Sequence, residues 1–172
     1  MKEKHSVLFL LMYLLLQVPL FTHSQDLADA ITSAKYHDAG IYDYRILPVD
    51  TLRLRIIEKA RQYIGVDYKW GESGENGFDC SGYVKYIFGQ FGYALPHSSL
   101  AQYNKSKRLV QSKARPGDLV FFITSGNKIS HVGIYLGNNK FIHAPRTGRQ
   151  VRVESIDTGF FRKALAGFGT IF

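Results

Sequence analysis

The sequence predicts an α+β fold, with N-terminal helices packed on a C-terminal antiparallel sheet of about five to six strands. Two patterns carry that expectation. Apolar residues recur at helical spacing as far as Phe91, whereas beyond Arg115 they fall in short segments rich in β-branched and aromatic residues, divided by Gly, Asn, Pro or Ser turns. Length is the third observation: 172 residues leave room for one ordinary domain, and no repeat or low-complexity tract interrupts it.

Residues 1–24 have the layout of a cleaved signal peptide: Met1-Lys2-Glu3-Lys4-His5, an apolar run from Val7 to Leu16, and small residues Thr22 and Ser24 before a cut. The run is broken by Gln17 and Pro19 and falls short of the roughly 20 apolar residues of a spanning helix. Export without a membrane anchor is therefore expected, to a periplasm or beyond the cell. Residues 25–50 contain Gly40, Pro48 and several tyrosines without sustained periodicity, and read as a lead-in arm or linker. Residues 51–172 are left as the folded domain.

Within it, Leu52, Ile56, Ile57, Ala60 and Ile64 form one helical stripe, with Asp50 or Thr51 as cap and Gly65 as the stop. A loop with Gly71, Gly74 and Gly77 runs into Phe78-Asp79-Cys80-Ser81-Gly82. A second helix follows, with Tyr83, Val84, Ile87, Phe88 and Phe91 on one face and Gly92 placed as the left-handed residue past its end. The polar stretch 96–113 can hold a short helix near Ser98 to Tyr103. After the turn Arg115-Pro116-Gly117-Asp118, strands are expected at Leu119 to Thr124, His131 to Leu136, Lys140 to Ala144, Gln150 to Ile156 and Leu165 to Phe172.

The formal charge is +8, but lysines and arginines are scattered without a run of five, as on an ordinary solvated surface. Export removes nucleic acid from the expected partners and leaves anionic surfaces such as a carboxylate-bearing bacterial wall. Cysteine usage says more. An exported domain with one cysteine, Cys80, cannot close an internal disulfide, so the thiol is either a small buried hydrophobe or a group kept for chemistry. At the start of a helix, unpaired N–H groups and the macrodipole favour the thiolate, so alkylation well below the ordinary thiol pKa of about 8.5 is expected.

A nucleophilic thiol needs an imidazole partner and a third group to hold that ring. His131 and His143 lie in consecutive predicted strands joined at Gly137-Asn138-Asn139. A three-residue loop sets Leu136 opposite Lys140 and Gly133 opposite His143, which puts both histidines on one face. A two-residue Asn138-Asn139 loop separates them. A functional pair therefore calls for the odd-length loop, on the same face as the thiol.

Four segments then stand out together: Asp79-Cys80-Ser81-Gly82-Tyr83-Val84, Arg115-Pro116-Gly117-Asp118-Leu119-Val120-Phe121-Phe122, Ser130-His131-Val132-Gly133-Ile134-Tyr135-Leu136-Gly137 and Phe141-Ile142-His143-Ala144-Pro145. In order, they closely resemble the signature segments of the NlpC family of cell-wall peptidases. The resemblance implies a papain-like core over 51–172, with Cys80 as nucleophile, His131 as base and His143 as the residue that orients it. It extends to Tyr68-Lys69-Trp70-Gly71, which implies an oxyanion role for Tyr68, while Trp70 reads as core packing. Asp79 and Ser81 resemble positions that bind the amine of a stem peptide, although Asp79 also suits a helix N-cap. Ser130 joins them as a candidate substrate contact.

Two departures matter. Glu72 and His97 stand where the family more often has glycine and arginine. With a histidine third, no fixed negative charge is implied beside the imidazolium. By resemblance the substrate is the D-γ-glutamyl–diamino acid amide of peptidoglycan stem peptides, meso-diaminopimelate or lysine being the diamino acid, cut through an acyl-enzyme by a monomer with no metal and no cofactor. A wall amidase or acyl transferase with the same Cys–His machinery, and a non-catalytic wall-binding module, remain the alternatives.

Overall fold

The computed structural model describes residues 47–172. The expected signal peptide, residues 1–24, and most of the expected lead-in arm, residues 25–50, lie outside the described residues. Helix α1 spans Val49–Arg61 behind Pro48, and its Leu52, Ile56 and Ala60 are buried. It begins one residue before the expected cap and has no side-chain cap. Its last carbonyls accept from the N–H groups of Gln62, Tyr63 and Ile64, and Gly65 follows at φ 92°, a conformation that favours glycine.

A two-stranded ribbon follows, β1 (Ser73–Gly74) against β2 (Gly77–Phe78), and delivers the chain to α2 (Cys80–Gly89). Tyr83, Val84, Ile87 and Phe88 of α2 are fully buried. Gly92 takes φ 82° just past the helix, as its position predicts. Helix α3 (Ser99–Lys105) is capped by the Ser98 hydroxyl, which accepts from Ala101 N. Strand β3 (Lys107–Leu109) and a single 3-10 turn (Gln111–Lys113) lead to β4 (Leu119–Phe122), β5 (His131–Gly137), β6 (Lys140–His143) and β7 (Arg152–Ser155). A short helix α4 (Gly159–Ala164) precedes β8 (Leu165–Thr170). The sheet is six-stranded and antiparallel, in the order β3-β8-β4-β5-β6-β7. This is the expected α+β arrangement, with β3 and α4 as elements the sequence reading did not separate.

Both faces of the sheet are covered, which is why β4 reads as the unbroken apolar run Leu119-Val120-Phe121-Phe122. On one face, Leu119, Phe121, Val132, Ile134 and Ile142 pack with α1 and α2. On the other, Val120, Phe122, Tyr135, Phe141 and Phe168 pack around Phe161 of α4. Among the described residues no helix is long and apolar enough to cross a membrane.

Candidate active site

Asp79 builds the start of α2. Its Oδ1 accepts from Gly82 N at 2.6 Å and from Ser81 Oγ at 3.0 Å, while Oδ2 accepts from Gly71 N at 3.0 Å and meets His97 Nε2 at 2.9 Å. Asp79 is therefore the N-cap, 7% exposed, with both oxygens occupied, and Ser81 gives its hydroxyl to the same carboxylate. Gln102, fully buried, donates to the carbonyls of Ser81 and Pro96, both at 2.8 Å, and pins this turn to α3. Gly82 is required here, because a Cβ would lie 2.1 Å from the Glu72 carbonyl oxygen and 2.8 Å from His97 Nε2. The two departures from the family pattern thus meet over one glycine.

Cys80 opens the helix, as expected, and packs on the α2 side of the sheet. Its acidity departs from expectation. Burial, then the neighbouring Asp79 charge, push the thiol up to about 11, against the pull of backbone N–H groups of Val132, Ser81 and Cys80 itself. The helix-terminus effect is present but smaller than the cost of burying a thiolate. Tyr68 behaves alike: burial and the charges of Cys80 and Asp79 raise its phenol to about 12, so it remains an O–H donor near the thiol. Trp70 is 86% exposed rather than packed in the core, on the loop whose Gly71 N–H reaches Asp79.

His131 and His143 are brought together, by a route other than the expected one. The β5–β6 turn is the two-residue Asn138-Asn139, with φ of 50° and 55°, and Gly137 pairs with Lys140. That loop alone would split the histidines. A bulge between Tyr135 and Gly137 restores the register, so Tyr135 pairs with Phe141 and Ile134 with Ile142. His131 Nε2 lies 2.6 Å from His143 Nδ1. Gly133 leaves the room: a Cβ there would meet Phe141 Cδ2 at 2.7 Å and His143 Cβ at 3.2 Å.

The Cys80 thiol lies against the start of β5, beside the backbone of the residue that follows His131. The His131 ring contacts Phe122 and Phe161, and the His143 ring contacts Phe141 and Phe161, all on the α4 side. The thiol is linked to this pair through the β5 backbone, where the N–H of Val132, the residue after His131, favours its anion. Burial, then the His143 charge, lower His131 to about 3, and burial lowers His143 too, so both rings are neutral at rest. Ser130, the residue before His131, accepts at Oγ from Thr124 N at 2.8 Å and Ser125 N at 3.1 Å, closing the β4–β5 turn.

One residue was absent from the sequence reading. Glu154 Oε2, on β7, lies 2.9 Å from His143 Nε2, and its Oε1 is paired with Arg152 Nη2. The His143 hydrogen bond, then the charges of His143 and Arg152, hold this carboxyl below the usual range despite partial burial. A fixed negative charge therefore does stand behind the imidazoles. The alternation Val151-Arg152-Val153-Glu154 contained the signal, since it sets both charged residues on one strand face.

A thiol at a helix start and two hydrogen-bonded imidazoles in consecutive strands occupy the segment that the NlpC/P60 family model matches, residues 65–170. The chain belongs to the NlpC/P60 family. It is 47% identical over 116 residues to "Probable endopeptidase p60" of Listeria monocytogenes, covering 67% of this chain and 23% of that protein. It is 39% identical over 116 residues to "Peptidoglycan endopeptidase RipA" of Mycobacterium tuberculosis, covering 60% of this chain and 24% of the other. The chain thus spans about a quarter of the length of these NlpC/P60 relatives. The solved NlpC/p60 domain of the peptidoglycan hydrolase SagA superposes with a TM-score of 0.61 at 32% identity, covering 69% of this chain and 98% of that one.

Proposed function

We propose that this domain is a cell-wall cysteine endopeptidase that cleaves the D-γ-glutamyl–diamino acid amide of peptidoglycan stem peptides through an acyl-enzyme on Cys80. The observation that carries the reading is the 2.6 Å contact of His131 with His143, in a chain whose only cysteine opens the adjacent helix. Its NlpC/P60 relatives bear the names of endopeptidases, one of them a peptidoglycan endopeptidase. The enzyme acts outside the cytoplasm, as a monomer, after residues 1–24 are removed.

In the resting site burial keeps both thiol and imidazole neutral. As the amide carbonyl approaches, the Cys80 S–H proton passes to His131 and the sulfur attacks the carbonyl carbon. The oxyanion that forms is met by the backbone N–H of Cys80 and the Tyr68 hydroxyl, which burial has kept protonated. The C–N bond then breaks, the proton moves from His131 to the leaving amine, and a thioester remains on Cys80. Water, deprotonated by His131, hydrolyses it and returns the thiol. Asp79, whose oxygens are filled by the helix start and His97, shapes this entrance, and an incoming amine would exchange with His97 there.

Purified muropeptides digested with the protein and analysed by mass spectrometry test the bond assignment. The expected products carry a new amine on the diamino acid and a D-glutamate carboxyl. A free lactyl end would instead identify a wall amidase, and intact substrate a binding module.

A further inference from the structure

The three groups His131, His143 and Glu154 form one line across three strands, and its chemistry is fixed from the far end. In the β6–β7 register Arg152 pairs with His143 and Glu154 with Phe141, so both charged residues share the face that carries His143. Glu154 sits diagonal to that ring, within reach of a long side chain. Arg152 holds Oε1, which leaves Oε2 turned to His143 Nε2 at 2.9 Å.

A carboxylate only accepts, so the proton between Glu154 and His143 belongs to Nε2 of the ring. A neutral His143 with its proton on Nε2 has a lone pair on Nδ1. His131 Nε2, 2.6 Å away, must then donate to it. That leaves the lone pair of His131 on Nδ1, the one ring nitrogen of the pair with no partner among these three residues. Each choice is forced by the one before it.

We propose that Glu154 is a positioning residue: its carboxylate, held by Arg152, sets His143 and through it His131 as Nε2–H tautomers, so that Nδ1 of His131 receives the Cys80 proton. The proposal rests on the reading of Cys80 and His131 given above. When the thiol proton reaches Nδ1, the positive charge on His131 faces His143 and, one ring further, the Glu154 charge. The titratable and charged groups in contact along this line are His131, His143, Glu154 and Arg152.

The test compares Glu154→Gln, Glu154→Asp and Cys80→Ala with the wild-type protein on purified muropeptides. Glu154→Gln keeps the size of the side chain and removes its charge. It should lower kcat on the order of tenfold to a hundredfold, the scale on which losing the partner that orients an imidazole acts, with KM unchanged. Losing the carboxylate also removes what favours the charged rings, so the acid limb of kcat/KM should move to lower pH. Glu154→Asp, which keeps the charge, should restore that limb and part of kcat. In the unmutated protein, nitrogen-15 NMR should find both rings protonated on Nε2, a readout independent of how the variants fold. Wild-type kcat and an unmoved acid limb in Glu154→Gln, or Nδ1–H tautomers in the wild type, would overturn the proposal. If Cys80→Ala retained activity, the thiol reading itself would fail, which separates the two outcomes.

Discussion

Two carboxylates tie this domain together, Asp118 buried and Glu154 half-buried, and they are partnered in opposite ways. Asp118, at the foot of β4, accepts from Arg53 Nη1 at 2.8 Å and from Arg115 N at 2.7 Å, and Arg53 also reaches the Pro116 carbonyl at 3.0 Å and Thr170 Oγ1 at 3.2 Å. The Arg53 guanidinium lies 4.3 Å over the Phe172 ring. That network is an ion pair buttressed by backbone and hydroxyl contacts, and it fixes α1 to the end of the sheet. The Glu154 network begins with a charge but ends in two imidazoles that burial keeps neutral, with Nδ1 of His131 the ring nitrogen that the line itself leaves unpaired. The ion pair holds a position, whereas neutral imidazoles behind one charge hold a route for a proton. Cutting the first should cost stability, and cutting the second should cost turnover.

The largest effect is expected at the open end of the second network. Cys80→Ala should reduce muropeptide cleavage by at least about a thousandfold, the scale seen when a nucleophile is deleted from a unit that acts together. Its melting temperature should change little, because a small side chain is replaced by another. Residual cleavage near the wild-type rate would break the comparison at once.

Next comes Asp118→Asn, which leaves Arg53 buried without its counter-charge. A loss of about 3–5 kcal/mol in chemical denaturation is expected, with kcat per folded molecule unchanged. A variant that kept its stability but lost activity would reverse the roles assigned to the two networks.

A smaller effect should appear in stability against pH. His131 is lowered to about 3 in the folded chain against 6.5 when unfolded, so below pH 6.5 the unfolded chain binds the proton first. Stability is full above that pH and declines as pH falls toward the folded value. The lowered Glu154 adds a loss in the same direction at more acid pH. Melting curves of the wild type should fall from pH 7 to pH 4, and His131→Gln should flatten the upper part of that slope. An equal slope in the variant would remove the buried neutral imidazole from the account.

What could be read in the sequence follows from how local each signal is. The helix stripes, the Asp79 cap and the strand alternation depend on near neighbours, and they place Cys80, His131 and His143 on the elements where they stand. The hairpin register was legible in its result but not in its means, since a bulge between Tyr135 and Gly137 offsets the even loop. Glu154 escaped because a charged pair on a strand reads as a solvent face, and only the fold lays that face against a histidine. The thiol acidity was misjudged because burial is a property of tertiary packing, which a helix start does not reveal. Trp70 was misplaced for the same reason: a lone tryptophan is a fair core candidate until the loop carrying it turns outward.

A covalent bond at Cys80 is the central step of the proposed reaction, and trapping it is the most direct test. Digestion of muropeptides in the presence of hydroxylamine, followed by mass spectrometry, should yield a D-glutamyl γ-hydroxamate beside the free carboxylate, because the amine competes with water for the thioester. Cys80→Ala should form none. Free carboxylate as the sole product at high hydroxylamine, or a hydroxamate made by Cys80→Ala, would contradict an acyl-enzyme on this thiol.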